Sequence, residues 1–91
     1  MGDRVVVGQL VKSKSGRDKG RYYLVLSIDS EKRMTFLVDG EKRRVKNPKK
    51  KNICHIQVTN AVIKELAQKI NEGSIPSDQD LRRYLQSVEV D

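Results

Sequence analysis

One cysteine and one histidine are all that this 91-residue chain holds of the two most versatile catalytic side chains. A lone Cys54 forms no intramolecular disulfide, so nothing in the sequence points to an oxidising, secreted setting. Cys54 and His55 are neighbours on an expected strand, which turns them to opposite faces and leaves a nucleophile and a base no proton to share. Two ligands also fall short of a zinc site, and no metal, cofactor or catalytic residue is expected. Cys54 is read as a small core residue and His55 as a surface or satisfied polar one. Tryptophan is absent, and Tyr22, Tyr23, Phe36 and Tyr84 are the whole aromatic complement. That is too few for a cage around a methylated lysine. Tyr22 and Tyr23 are the one pair available to stack on unpaired bases, and as strand neighbours one of them must face the core. Long apolar runs are missing as well. Three valines after Asp3 and Arg4 are too short for a signal-peptide core, and no stretch approaches a membrane span. A cytoplasmic protein with no membrane partner and no small-molecule substrate is expected.

Positive charge is what the chain has in excess. The formal net charge is +7, unevenly spread. Residues 1–59 carry fifteen Lys/Arg against six Asp/Glu, which is +9, whereas residues 60–91 carry four against six, which is −2. A block of that charge suits a polyanionic partner, because neutralising phosphates releases counterions and gives affinity independent of sequence. Charge of this kind also keeps a surface soluble, so basicity alone leaves both readings open. The apolar fraction of 36% is low, but both signs of charge are interspersed, which argues for a folded chain with a modest core.

The hydrophobic pattern predicts five short strands. Val5 to Val11 forms the first by its β-branched content, and Arg21 to Ile28 the second, apolar on both faces as suits the middle of a bent sheet. Tyr22, Leu24, Leu26 and Ile28 fall on one face of it, Tyr23, Val25 and Ser27 on the other. After the polar connection 29–33, Met34 to Val38 is the third strand. Asp39-Gly40 follows as a type I′ hairpin signal. The fourth strand, Glu41 to Val45, is almost entirely charged and belongs at an edge or against a polyanion. Pro48 breaks the pattern within 47–52, where Lys49-Lys50-Lys51 reads as a loop, and Ile53 to Thr59 is the last strand. From Asn60, a suitable N-cap, Val62, Ile63, Leu66, Ala67 and Ile70 recur at helical spacing until Gly73 stops the run. Ser77 caps a second helix striped by Leu81, Tyr84, Leu85 and Val88. Neither helix is long enough to be stable alone, so both must pack, on each other and the sheet or on a partner. The fold class is therefore mostly β with a C-terminal α part: a small five-stranded barrel over 1–59 and a helical hairpin over 60–91.

The most informative segment is Ser13-Lys14-Ser15-Gly16-Arg17-Asp18-Lys19-Gly20, a basic loop between two apolar strands. Gly16 and Gly20 stand where the backbone needs positive φ or close approach. Their spacing is not that of a nucleotide-hydrolase phosphate loop, which would open a helix where Arg21 here opens a strand. With Gly8 opening the first strand and Gly20 as central glycine, the order of residue types resembles the KOW motif of several ribosomal proteins and NusG-type transcription factors. Downstream, Leu37-Val38-Asp39-Gly40, a basic strand and Ile56-Gln57-Val58-Thr59 extend the likeness over about residues 5–59 to the KOW-containing large-subunit ribosomal proteins of the archaeal and eukaryotic kind, number fourteen in particular. Tyr23 departs from that pattern, being bulky where relatives often carry a small residue. The resemblance implies an SH3-like barrel that binds RNA, ribosomal RNA above all, in a ribosomal or ribosome-associated protein with ribosomal proteins as further partners.

Two cationic patches are the candidate RNA contacts. Lys12, Lys14, Arg17, Lys19 and Arg21 lie in or beside the loop; Lys42, Arg43, Arg44, Lys46 and Lys49-Lys50-Lys51 form the second patch. Arginine's planar fork grips phosphate in two places while lysine acts as a point charge, so Arg17, Arg43 and Arg44 should each matter more. Gly8, Gly16, Gly20, Asp39 and Gly40 are the structural positions of the motif. The scarcity of aromatics favours structured RNA held by backbone and shape over the reading of unstacked bases. The alternative is a protein-interaction module docking a ribosomal or transcription partner through the barrel or the helical stripe, with the charge only steering the encounter.

Overall fold

Alternation of apolar residues across two faces sets the middle of the sheet. In the computed structural model, which describes residues 4–88 and so leaves Asp3 outside the described residues, β1 (Gln9–Ser13), β2 (Tyr22–Asp29), β3 (Met34–Val38), β4 (Lys49–Asn52) and β5 (Ile56–Val62) form one antiparallel sheet. The order is β4-β3-β2-β1-β5. Two helices follow, α1 (Lys64–Asn71) and α2 (Asp78–Ser87). Central β2 buries both faces. Leu24 joins Leu10, Val38, Leu66, Leu81 and Tyr84 in one cluster, and Tyr23 and Val25 join Val11, Leu37 and Ile56 in the other. The helices therefore cover one side of the sheet with the stripe that their spacing predicts. A register shift between Val25 and Ser27 moves Ile28 to the Tyr23 side, away from the face expected for it.

Several elements differ from expectation for definable reasons. β3 spans the residues expected, but β1 begins only at Gln9. Gly8, at φ +84°, turns the chain there. Gln9 then ties the turn to β5, its Oε1 accepting from Val6 N at 3.0 Å and its Nε2 donating to the Thr59 carbonyl at 2.9 Å. Residues 41–45 are not a strand; the edge strand is the lysine run itself, with Thr35 opposite Lys51 and Phe36 opposite Lys50. Asp39-Gly40 is not a type I′ turn, since Gly40 has φ +81° but Asp39 does not enter the positive region. Ile53–His55 forms a 3-10 turn, so Cys54 is exposed rather than core, and His55 is exposed as well. Asn60 is no N-cap. The strand runs on through Val62, and α1 starts after Ile63, whose N–H donates to the Gly8 carbonyl at 2.9 Å. Ser77 does cap α2, its Oγ accepting from Asp80 N at 3.0 Å.

No ladder joins β4 to β5 among the described residues, so the sheet is not closed by backbone pairing. The two edge strands are nonetheless consecutive. The 3-10 turn between them bonds to both flanks: Ile53 N–H donates to the Arg33 carbonyl at 2.9 Å, and the His55 carbonyl accepts from Lys14 N–H at 2.8 Å. No helix among the described residues is long and apolar enough to cross a membrane.

Candidate nucleic-acid interface

The loop from β1 to β2 is folded back by its own backbone. Gly20 N–H donates to the Ser13 carbonyl and Arg21 N–H to that of Asp18, both at 2.9 Å. Gly16 and Gly20 have φ of +85° and +91°, the left-handed region that side chains avoid. A Cβ on Gly20 would meet nothing within 4 Å among the described residues, so its requirement is dihedral and not a close approach. Arg17, Lys19 and Arg21 are exposed on this frame, and Lys14 beside it is exposed too.

Asp18 points inward from the same loop. Its carboxylate accepts from Ser13 Oγ at 2.8 Å, Tyr23 Oη at 2.9 Å and Lys51 Nζ at 2.8 Å, with Lys49 Nζ 3.6 Å away. Burial raises the cost of the charge, but the hydrogen bonds from Lys51, Ser13 and Tyr23 outweigh it and hold the Asp18 carboxyl well below the usual carboxylate range. Burial and the neighbouring carboxylate push the Tyr23 phenol well above its ordinary value. Lys51, expected in an exposed cationic run, is 10% exposed in its side chain and also donates to the Ser15 carbonyl at 2.9 Å. In a charged strand the period of two sends Lys49 and Lys51 toward Asp18 and leaves Lys50 outside, 5.9 Å from the centre of the Phe36 ring.

A second segment faces the loop. Asp39 Oδ1 accepts from Glu41 N at 2.8 Å and Arg43 N at 2.9 Å, which winds 39–43 into a tight turn. α2 holds that turn from behind. Arg82 Nη1 donates to the Gly40 carbonyl at 2.6 Å, and Asp78 Oδ1 accepts from Val45 N at 2.8 Å. α2 thus fixes the segment that carries Lys42 and Arg43.

Between the loop, this turn and β4 lies a cleft of about 460 Å³, lined by Arg17, Asp18, Arg21, Tyr23, Lys42, Arg43 and Lys49. Five cations meet one carboxylate, and that carboxylate already has Lys51 as partner. Among the described residues no carboxylate lies within ion-pair distance of Arg17, Arg21, Lys42 or Arg43. Like charges gathered in a recess raise its potential and draw anions. The arginines can hold phosphate oxygens in pairs, and the lysines add point charge. The structure therefore brings the two sequence patches together through five of their residues. Others fall outside the cleft: Lys12 sits over the Tyr22 ring at 5.5 Å, Arg44 and Lys46 are exposed beyond the turn, and Lys50 and Lys51 are placed as described. Asp18 is absent from the sequence candidates, and Tyr23 enters them only as one of a pair of rings that could stack on bases. The available signal was a single carboxylate at the centre of a cationic loop. A smaller hollow of about 280 Å³, lined by Leu10, Tyr22, Asp39, Glu41, Arg82, Leu85 and Gln86, carries both signs of charge.

The chain matches no protein-family model, and no curated protein matches it either.

Proposed function

We propose that this protein binds structured RNA by its backbone, ribosomal RNA first, as a ribosomal or ribosome-associated protein. The observation that carries the reading is the convergence of Arg17, Arg21, Lys42, Arg43 and Lys49 on one recess whose sole carboxylate among the described residues is already neutralised. Such a surface suits phosphate and offers little to an unpaired base, because Tyr23 is buried and Tyr22 lies outside the cleft. The fold is read as an SH3-like barrel of the KOW type. Support comes from the positive φ at Gly16 and Gly20 and from edge strands that meet through one short turn. The role is binding, not turnover, and its setting is the cytoplasm. A protein-docking role for the helical stripe finds less support, since Leu66, Leu81 and Tyr84 are buried against the sheet. Crosslinking in cells followed by sequencing of the bound RNA tests the reading. Ribosomal RNA is the expected product, and recovery of no RNA above background would overturn it.

A further inference from the structure

Resting on the reading of the cleft as an RNA site, we propose that Asp18 is its positioning residue: a carboxylate that strengthens the binding of a polyanion by holding the cationic loop in shape. Electrostatics alone gives the opposite sign. A negative charge among five cations repels phosphate, and its removal should tighten RNA binding. The geometry removes that liability. The Asp18 side chain is only 11% exposed, and its oxygens meet donors from three strands: Ser13 at the end of β1, Tyr23 on β2, and Lys51 with Lys49 on β4. Its charge is directed into the protein, while its backbone carbonyl accepts from Arg21 N–H.

Arg17 precedes Asp18 directly and Arg21 is bonded to it, so both loop arginines of the cleft move with this anchor. Lys49, the β4 cation of the cleft, is 3.6 Å from the same carboxylate. Three of the five cleft cations are thus tied to one acidic residue, Arg17 and Arg21 through its backbone and Lys49 through its carboxylate. Without it the loop gains freedom, and the phosphate contacts must then bear the entropy of ordering it.

The test measures affinity for a labelled structured ribosomal RNA fragment at several salt concentrations, with circular dichroism checking that each variant is folded at the assay temperature. Asp18→Asn is compared with Glu31→Gln, an exposed acid in the β2–β3 turn that makes the same change in net charge. The double variant Asp18→Asn/Lys51→Met removes the buried pair while keeping the parent's net charge. The expected result is a loss of about tenfold or more for both Asp18 variants, with a shallower salt dependence, and no loss for Glu31→Gln. If Asp18→Asn does not fold, Tyr23→Phe carries the test, since it removes one donor to the carboxylate at constant charge and is expected to weaken binding. Asp18→Asn binding as tightly as the parent or tighter, with the parent's salt slope, would overturn the positioning role and leave the RNA reading standing. A parent that shows no salt-dependent RNA binding would instead overturn the RNA reading, and the role of Asp18 with it.

Discussion

Two glycines with similar positive φ separate conformational strain from close packing. Gly20 and Gly40 have φ of +91° and +81°, so alanine at either position meets a left-handed penalty of roughly 1–2 kcal/mol. Around Gly20 there is no further obstacle. At Gly40 the added Cβ would collide with the Asp78 carbonyl and would stand 2.9 Å from Arg82 Cγ and 3.1 Å from Arg82 N. Two of those neighbours are the backbone of α2, which yields only if the helix moves, and overpacking of this kind costs about 1–3 kcal/mol more. Both substitutions reduce the freedom of the unfolded chain alike, so that term cancels in their difference. Gly40→Ala should therefore be about 1–3 kcal/mol less stable than Gly20→Ala. In urea this appears as a lower midpoint at an unchanged slope, and in a melt of this 91-residue chain as a further drop of roughly 4–8 °C per kcal/mol. Equal losses in the two variants would refute the seating of the 39–45 segment on α2, and with it the support that this helix gives to Lys42 and Arg43.

Three further outcomes follow from the same structure. Arg17→Glu/Arg43→Glu, within the cleft, should cost far more RNA affinity than Lys32→Glu/Lys64→Glu, which makes the same change in net charge at exposed sites outside it; equal losses in a binding titration would assign the affinity to net charge alone. Leu66→Ala should lose about 2–5 kcal/mol in urea unfolding, because Leu66 is fully buried between α1 and the sheet, and an unmoved midpoint would mean that the stripe is a free surface. The Asp18 carboxyl is depressed in the folded state, so its contribution is present above the unfolded value near pH ~4 and is lost as pH falls below it. The stability gap between parent and Asp18→Asn should accordingly narrow from pH 7 to pH 3, and a constant gap would contradict the network.

The parts of the fold legible in the sequence are those fixed by neighbours along the chain. β3 is a short run rich in apolar and β-branched residues that ends at a polar turn, and α2 announces itself through Ser77 and the Leu81, Tyr84, Leu85 spacing. Where a distant partner decides, local signals fail. Lys49-Lys50-Lys51 follows a proline and has poor strand propensity, yet it pairs with β3 because Asp18 receives alternate lysines. Asn60 has the chemistry of a cap, but the ladder with β1 carries the strand through Val62 and Ile63 bonds to Gly8. In the candidate site, both basic patches were readable from charge and from glycine placement. Their meeting in one cleft was not, since it depends on α2 gripping Gly40 and Val45 from more than thirty residues away. Nor did the sequence distinguish Lys51, turned inward, from Lys49, which lines the recess.

The dependence of RNA affinity on salt tests the central claim most directly. If each of the five cleft cations neutralises one phosphate, the logarithm of the affinity should fall against the logarithm of salt with a slope of about −4, and Arg17→Glu/Arg43→Glu should make that slope shallower. A slope near zero, or one that the cleft variant leaves unchanged, would contradict the account.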